Sequence, residues 1–379
     1  RGVDGFRLDT INFYVHDAQL RDNPPLPEEE RNPITAPAVN PYTWQNHLYD
    51  KTQPENLDFL RKFRKLLDEY GAVSVGEVGD DQRGLEILGE YTAGDDLVHM
   101  SYAFELLSDH MPTAKYVAKV MDDIARAAPD GWACWAFSNH DVPRHGSRWG
   151  LNDAAARCFI TLMMCLRGSA CLYQGEELAL PRAELSRDEI TDPFDLMYWP
   201  DGPGREEARV PIPWTETPPR YGFSEGTPWL PMRWPEGASV AAGGRDGGLS
   251  FFRAVIDFRK EHGFGAHRVR CNEPNPGQLE LILTTGTGDW LARFNQSDRH
   301  MPAPEQLRTA FAAETVLRTR LVKFKTVTPE VPFALCDPET IRLHPDAPAS
   351  NLPAPTAITT RGSLIEISPC LEPHRAAVA

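Results

Sequence analysis

Strand-like and helix-like patterns alternate along roughly the first 265 residues, and nothing else in the chain restricts its fold so strongly. Five short apolar runs, GVDGFRLD, AVSVGEV, DLVHMSYAF, GWACWAFSN and SACLYQGEE, end near residues 9, 77, 104, 139 and 174. Helical patterns separate several of them. Behind Pro54, Leu57, Leu60, Phe63 and Leu66–Leu67 recur at helical spacing until Gly71, and further helices are predicted over 113–128 and 152–167. Strand and helix in repetition demand parallel strands joined by crossover helices. Five strands are fewer than the eight that close a barrel of this kind.

Residues 17–53 read as a long polar loop, and 178–248 as a segment rich in Pro, Gly and Trp with little regular pattern. A stretch of that length without structure of its own is usually functional. An amphipathic helix is predicted over 249–262. Beyond it the texture turns to β-rich segments, LELILTTG, DWLARFN and GSLIEIS, which predict a C-terminal antiparallel β-sandwich. The expected division is therefore a barrel part over 1–264 and a β domain over 265–379. The stretch 337–357 is too rich in proline for a regular core element, and no internal repeat is present.

A net charge of −15 argues against non-specific nucleic-acid binding, which needs basic patches. No apolar run reaches the length of about 18 residues that a membrane span requires, so neither nucleic acid nor membrane is an expected partner. Seven cysteines, at 134, 158, 165, 171, 271, 336 and 370, form no C-x-x-C and sit mostly in apolar surroundings. Free thiols in a cytoplasmic protein are the expectation, rather than a disulfide framework. The chain begins at Arg1 instead of Met, so targeting is not legible.

Three of the strand-like runs end in an acid: Asp9, Glu77 and Asp141, the last in Ser-Asn-His-Asp. Arg7 and Asp9 are two apart on a strand and share a face, and the arginine favours the ionised aspartate that a nucleophile must be. Alone, the two equally read as a structural ion pair. Glu77 follows small and β-branched residues; a glutamate in a partly apolar cleft holds its proton towards neutrality, as a general acid needs, although an exposed loop glutamate reads the same way. His140 and Asp141 suit hydrogen bonds to sugar hydroxyls, and with neither H-x-x-x-H nor a Cys–His cluster nearby no metal site is expected.

Taken in order, G-F-R-L-D, G-E-V and N-H-D resemble the signature regions of glycoside hydrolase family 13, the α-amylase family. YQGEELAL (173–180), DPFDLMYWPDGPGREEARVPIPW (192–214) and GFSEGTPWLP (222–231) resemble segments of its α-glucosidases. The resemblance implies a (β/α)8 TIM barrel of which strands 4–8 lie in this chain. It implies Asp9 as nucleophile, Glu77 as acid/base and Asp141 as transition-state stabiliser, with Arg7, His140 and Arg209 positioning the terminal glucose. Thr10, which follows the nucleophile, resembles the linkage selector in its α-1,4 form, and Phe104 is placed to stack on the aglycone sugar. In such retaining enzymes two carboxyl groups about 5–5.5 Å apart flank the scissile bond.

The implied activity is release of terminal α-linked glucose from small α-glucosides such as maltose, without a cofactor. Transglucosylation at the same site stays open, and a non-catalytic scaffold relative is a third reading. The resemblance also implies three barrel strands, an inserted subdomain and an early ion-binding loop ahead of Arg1, so that a structural divalent ion would belong there. Residues 1–379 alone are expected neither to fold stably nor to catalyse. A preceding portion of roughly 180–200 residues is the expected partner that completes the barrel.

Overall fold

The structure, a computed structural model, describes residues 2–31, 40–80, 82–200, 204–266, 268–285 and 288–297, and beyond them four strands given below. The chain divides into two compact units. One comprises Arg1–Ser108, Asp122–Phe137 and Gly168–Cys171; the other comprises Asp109–Met121, Ser138–Arg167 and Leu172–Ala379.

The first unit is built on the alternation expected. Strands β1 (Gly5–Leu8), β2 (Val73–Gly76), β3 (Met100–Ala103), β4 (Ala133–Trp135) and β5 (Ser169–Ala170) form one parallel sheet in the order of the sequence. Leu8 pairs in register with Gly76, Ala103 with Trp135, and Trp135 with Ala170. Helix α1 (Glu55–Glu69) joins β1 to β2. Pro54 precedes its first turn, and Glu55 and Asp58 place negative charge at its N-terminal end, where the helix dipole favours it. Helix α2 (Gly84–Thr92) joins β2 to β3, and α3 (Ala114–Ala127) joins β3 to β4. The core of this unit gathers Ile11, Leu60, Val78, Ile87, Tyr91, Leu97 and Val98.

In the second unit, α4 (His145–Arg148) and α5 (Asp153–Cys165) follow the third acidic motif. Asn152 caps α5 by accepting from the Ala155 amide at 2.8 Å. Two short helices, α6 (Pro193–Met197) and α7 (Arg205–Arg209), punctuate the long segment before α8 (Gly248–His262). Gly263 ends α8 at φ 66°, the left-handed conformation that glycine adopts without steric penalty.

Strands β6 (Val269–Asn275), β7 (Gln278–Thr285), β8 (Gly288–Asn295), β9 (Leu317–Leu321) and β12 (Ser363–Pro369) form a sheet ordered β6-β7-β8-β12-β9, and β10 (Cys336–Asp337) pairs with β11 (Thr340–Ile341). All its neighbours are antiparallel except β9 and β12. The antiparallel β structure expected after residue 264 is thus present.

Four readings of the sequence need correction. The apolar run 2–9 predicts a buried strand, yet β1 has only β2 beside it among the described residues, and Phe6 stands 46% exposed. Helix α2 is absent from the sequence reading; it opens on a glycine without a side-chain cap, so its start signal is weak, one acid, Glu86, in the first turn. The last strand is two residues long where nine were read, because the chain turns at Tyr173–Glu177. The segment 178–248 has a core of its own, made by Leu178, Leu180, Val210, Leu230, Met232 and Trp234. Cys134 and Cys165, both buried, are free thiols. The side chain of Cys336, residue Cys370 and most of 337–357 lie outside the described residues.

Candidate active site

Because Leu8 and Gly76 are in register, the residues that follow them, Asp9 and Glu77, leave the sheet side by side. The backbone locks this exit: the Glu77 amide donates to Leu8 O at 2.9 Å, and the Ile11 amide donates to Glu77 O at 2.8 Å. Gly76 packs directly against Ile11, which would have to shift to admit a side chain there. A Cβ there would lie 2.4 Å from Ile11 Cδ1, the fully buried side chain that fills the corner.

Arg7 joins the two acids. Its Nη2 lies 2.7 Å from Glu77 Oε2, and its Nη1 donates to Asp9 Oδ1. The carboxyls differ sharply in environment, the Asp9 side chain being 75% exposed and that of Glu77 12%. Burial pushes the Glu77 carboxyl above its ordinary value. The Arg7 charge and a hydrogen bond from the Thr10 amide oppose that shift, whereas Asp9, close enough to hydrogen-bond Glu77, adds to it. The acid expected to hold a proton is therefore the one whose surroundings favour the protonated form.

A polar clasp fixes the loop that carries Glu77. Asn12, buried, accepts from the Gly79 amide at 3.1 Å and donates to Gly79 O at 3.0 Å, pairing with that peptide like a strand. Lys51, also buried, donates to Gly79 O and to Tyr42 Oη, both at 2.9 Å, and sits 3.3 Å from Asp80 Oδ2. Asn56 ties α1 to the same corner through Ile11 O at 2.7 Å.

Thr10 adopts φ 39° and ψ 53°, left-handed and strained for a β-branched residue. Its amide donates to Glu77 Oε2 at 3.3 Å. Phe104 opens the 3-10 turn just beyond β3 and stacks near Tyr102, with centroids 6.4 Å apart.

The third acid belongs to the second unit, with its own group. Asp141 Oδ1 receives Arg209 Nη2 at 3.0 Å and Arg205 Nη2 at 2.9 Å, while Oδ2 lies 3.3 Å from His140 Nε2. Arg209 Nε donates to His140 O at 2.7 Å, and Nη1 donates to Asp192 Oδ2 at 2.8 Å. The structure thus brings Arg7, Asp9, Thr10 and Glu77 together in one unit, and His140, Asp141 and Arg209 together in the other. Among the described residues no group of three or more His, Cys, Asp or Glu is arranged to hold a metal ion.

Five residues of these groups do not figure in the sequence reading: Asn12, Asn56, Lys51, Asp192 and Arg205. A signal existed for the last two. Arg205 and Arg209 are four apart in REEAR, hence on one helix face, and Asp-Pro at 192–193 is a helix start. Lys51 carries no signal, since its partners Tyr42, Gly79 and Asp80 belong to separate loops.

Comparison with known proteins points to a family. The alpha amylase catalytic-domain model matches residues 1–265. A protein of Rhizobium meliloti (strain 1021) named "Probable alpha-glucosidase" is 51% identical over 307 residues, which are 79% of this chain and 56% of that protein. An oligo-1,6-glucosidase of Halalkalibacterium halodurans is 27% identical, over 75% of this chain and 53% of its own length. The chain thus spans about half the length of these relatives. The crystal structure of the alpha-glucosyl transfer enzyme XgtA superposes with a TM-score of 0.74 at 35% identity, covering 97% of this chain and 64% of that one.

Proposed function

The chain belongs to the alpha-amylase family, and from that premise we propose that it carries the catalytic carboxylates of a retaining α-glucosidase acting on terminal α-(1→4)-linked glucose in short oligosaccharides and α-glucosides. The observation that carries this reading is the Arg7 bridge between an exposed Asp9 and a buried Glu77 of raised pKa. The two acids differ as a nucleophile and a general acid must.

In this reading the Asp9 carboxylate attacks the anomeric carbon while Glu77 gives its proton to the departing glycosidic oxygen, leaving a glucosyl ester on Asp9. Glu77, now ionised, takes a proton from water as that water opens the ester, and the acid is restored. Two inversions give net retention. Asp141 with His140 would hold ring hydroxyls as charge grows on the ring, and Arg209 would orient the terminal glucose. Thr10 would favour the α-(1→4) bond and Phe104 would stack on the aglycone. The boundary at 264/265 is part of this reading, supported by a family match that ends at residue 265. Buried free thiols at Cys134 and Cys165 fit a reducing, cytoplasmic setting, and no helix among the described residues is long and apolar enough to cross a membrane.

Likeness to an alpha-glucosyl transfer enzyme favours a second outcome of the same intermediate, in which an alcohol or sugar hydroxyl replaces water. The test uses the full-length protein and p-nitrophenyl α-glucoside, with NMR of the first glucose released and of any glucoside formed when an acceptor is added. Retention predicts α-glucose first. β-Glucose first, or no turnover, sinks the reading.

A further inference from the structure

The two guanidiniums beside Asp141 each divide their fork between two aspartates. Arg209 gives Nη2 to Asp141 Oδ1 at 3.0 Å and Nη1 to Asp192 Oδ2 at 2.8 Å. Arg205 reaches Asp141 Oδ1 with Nη2 at 2.9 Å, and its enclosed Nε lies 3.6 Å from Asp192 Oδ2. Arginine binds a single carboxylate most strongly with both arms in parallel. Neither arginine does so here.

The cause lies in Asp192, which is not free to follow its partners. Its side chain is 9% exposed, whereas that of Asp141 is 35% exposed. Oδ1 accepts from the Phe194 amide at 2.7 Å and the Asp195 amide at 3.4 Å, capping α6, and Pro193 stiffens the backbone at that turn. Only Oδ2 faces the arginines. The same helix also supplies Phe194, whose ring lies 5.3 Å beneath the Arg205 guanidinium. One short helix thus presents a fixed anion to both arginines and a flat apolar support to one. Two positive and two negative charges balance within the group.

We propose that Asp192 is a positioning residue for the glucose-binding group. By retaining one arm of Arg209 and facing Nε of Arg205, it stops both arginines from closing as bidentate pairs on Asp141. Oδ2 of Asp141, on the side of His140, is thereby kept for sugar hydroxyls. This rests on the α-glucosidase reading above and extends it to a residue outside the three acidic motifs.

The variant that isolates the role is Asp192→Asn in the full-length protein. Asparagine keeps an oxygen to cap α6, since it caps as well as aspartate, but removes the charge that holds the arginines. The thermal midpoint should stay close to wild type while kcat/KM for p-nitrophenyl α-glucoside falls about 10-fold or more, carried mainly by KM. Asp192→Ala, which also removes the cap, should lower the midpoint as well. In an Arg209→Lys background, Asp192→Asn should remove less than about 2-fold further, because residues acting through one another are not additive. Unchanged kinetics for Asp192→Asn, or fully additive losses with Arg209→Lys, would overturn the proposal. Inactivity of the wild type would sink the glucosidase reading instead. A crystal structure of Asp192→Asn then decides this one: an arginine must close on Asp141, and unmoved arginines refute it.

Discussion

Arg7 meets Glu77 at 2.7 Å, Nη2 to Oε2, while Nη1 of the same guanidinium rests on Asp9 Oδ1. One cation thus serves two carboxyls with opposite needs. In the reaction proposed above, Asp9 would be ionised to attack and Glu77 would keep a proton to give. Exposure separates them, and at Glu77 burial outweighs the charge of Arg7.

Replacing the cation should shift the pH profile in a definite direction. Arg7 holds the Glu77 pKa down against burial, so Arg7→Met raises it further and Glu77 stays protonated to higher pH. The alkaline limb of kcat/KM against pH should move upward. The plateau should fall by roughly 100-fold or more, since the nucleophile loses its partner as well. A limb that moves downward contradicts the assignment.

Glu77→Gln removes the proton and keeps the shape. Losses of about 100- to 10,000-fold are expected with alkyl glucosides, whose leaving group needs protonation. Aryl glucosides with acidic phenols should lose much less in the step that forms the ester. Equal losses across a series of leaving groups would remove Glu77 from the acid role.

Lys51 tests the clasp. Lys51→Met leaves Gly79 O, Tyr42 Oη and Asp80 without their shared donor in a buried place. A destabilisation of about 2–3 kcal/mol should appear in the urea midpoint. A change below about 0.5 kcal/mol would show that water replaces the ammonium without loss.

Gly76 and Ile11 form a steric pair. Gly76→Ala places a methyl 2.4 Å from Ile11 Cδ1 and should destabilise by about 1–3 kcal/mol. Adding Ile11→Val, which deletes that carbon, should recover part of the loss. Strict additivity of the two in denaturant unfolding would show that they do not share the space.

Glu105 should make stability depend on pH. Burial raises its carboxyl to about 7 from an ordinary 4.5, so the folded state favours the proton. The resulting stability is complete below about pH 4.5 and is lost as pH rises through about 7, by roughly 3 kcal/mol. Glu105→Gln should flatten that slope when urea midpoints at pH 5 and pH 8 are compared.

What was legible in the sequence was local and periodic. Apolar runs ending in Asp9 and Glu77 located two neighbouring strand ends, and alternation indicated parallel strands, while their sequential order is that of the barrel the resemblance implied. Helix α2 escaped because Gly84 opens it without a cap, and β5 is too short to carry a pattern. The arrangement around Asp141 was legible only in part. Arg209 came from resemblance, whereas Asp192 meets it across 17 residues of chain through a contact that periodicity does not encode. The same is true of Lys51, joined to Gly79 across 28 residues.

Thr10 supports Glu77 through its main chain, and that has a consequence for how the site can diverge. The amide that reaches Glu77 Oε2 is present whatever side chain follows the nucleophile, proline excepted. Substitutions at residue 10 can alter what the side chain meets while leaving the proton donor's hydrogen bond in place. The left-handed turn at φ 39° would even be relaxed by asparagine or glycine. If residue 10 and Glu77 play the proposed roles, substrate preference and acid strength are separable by mutation, and one can drift without dragging the other with it.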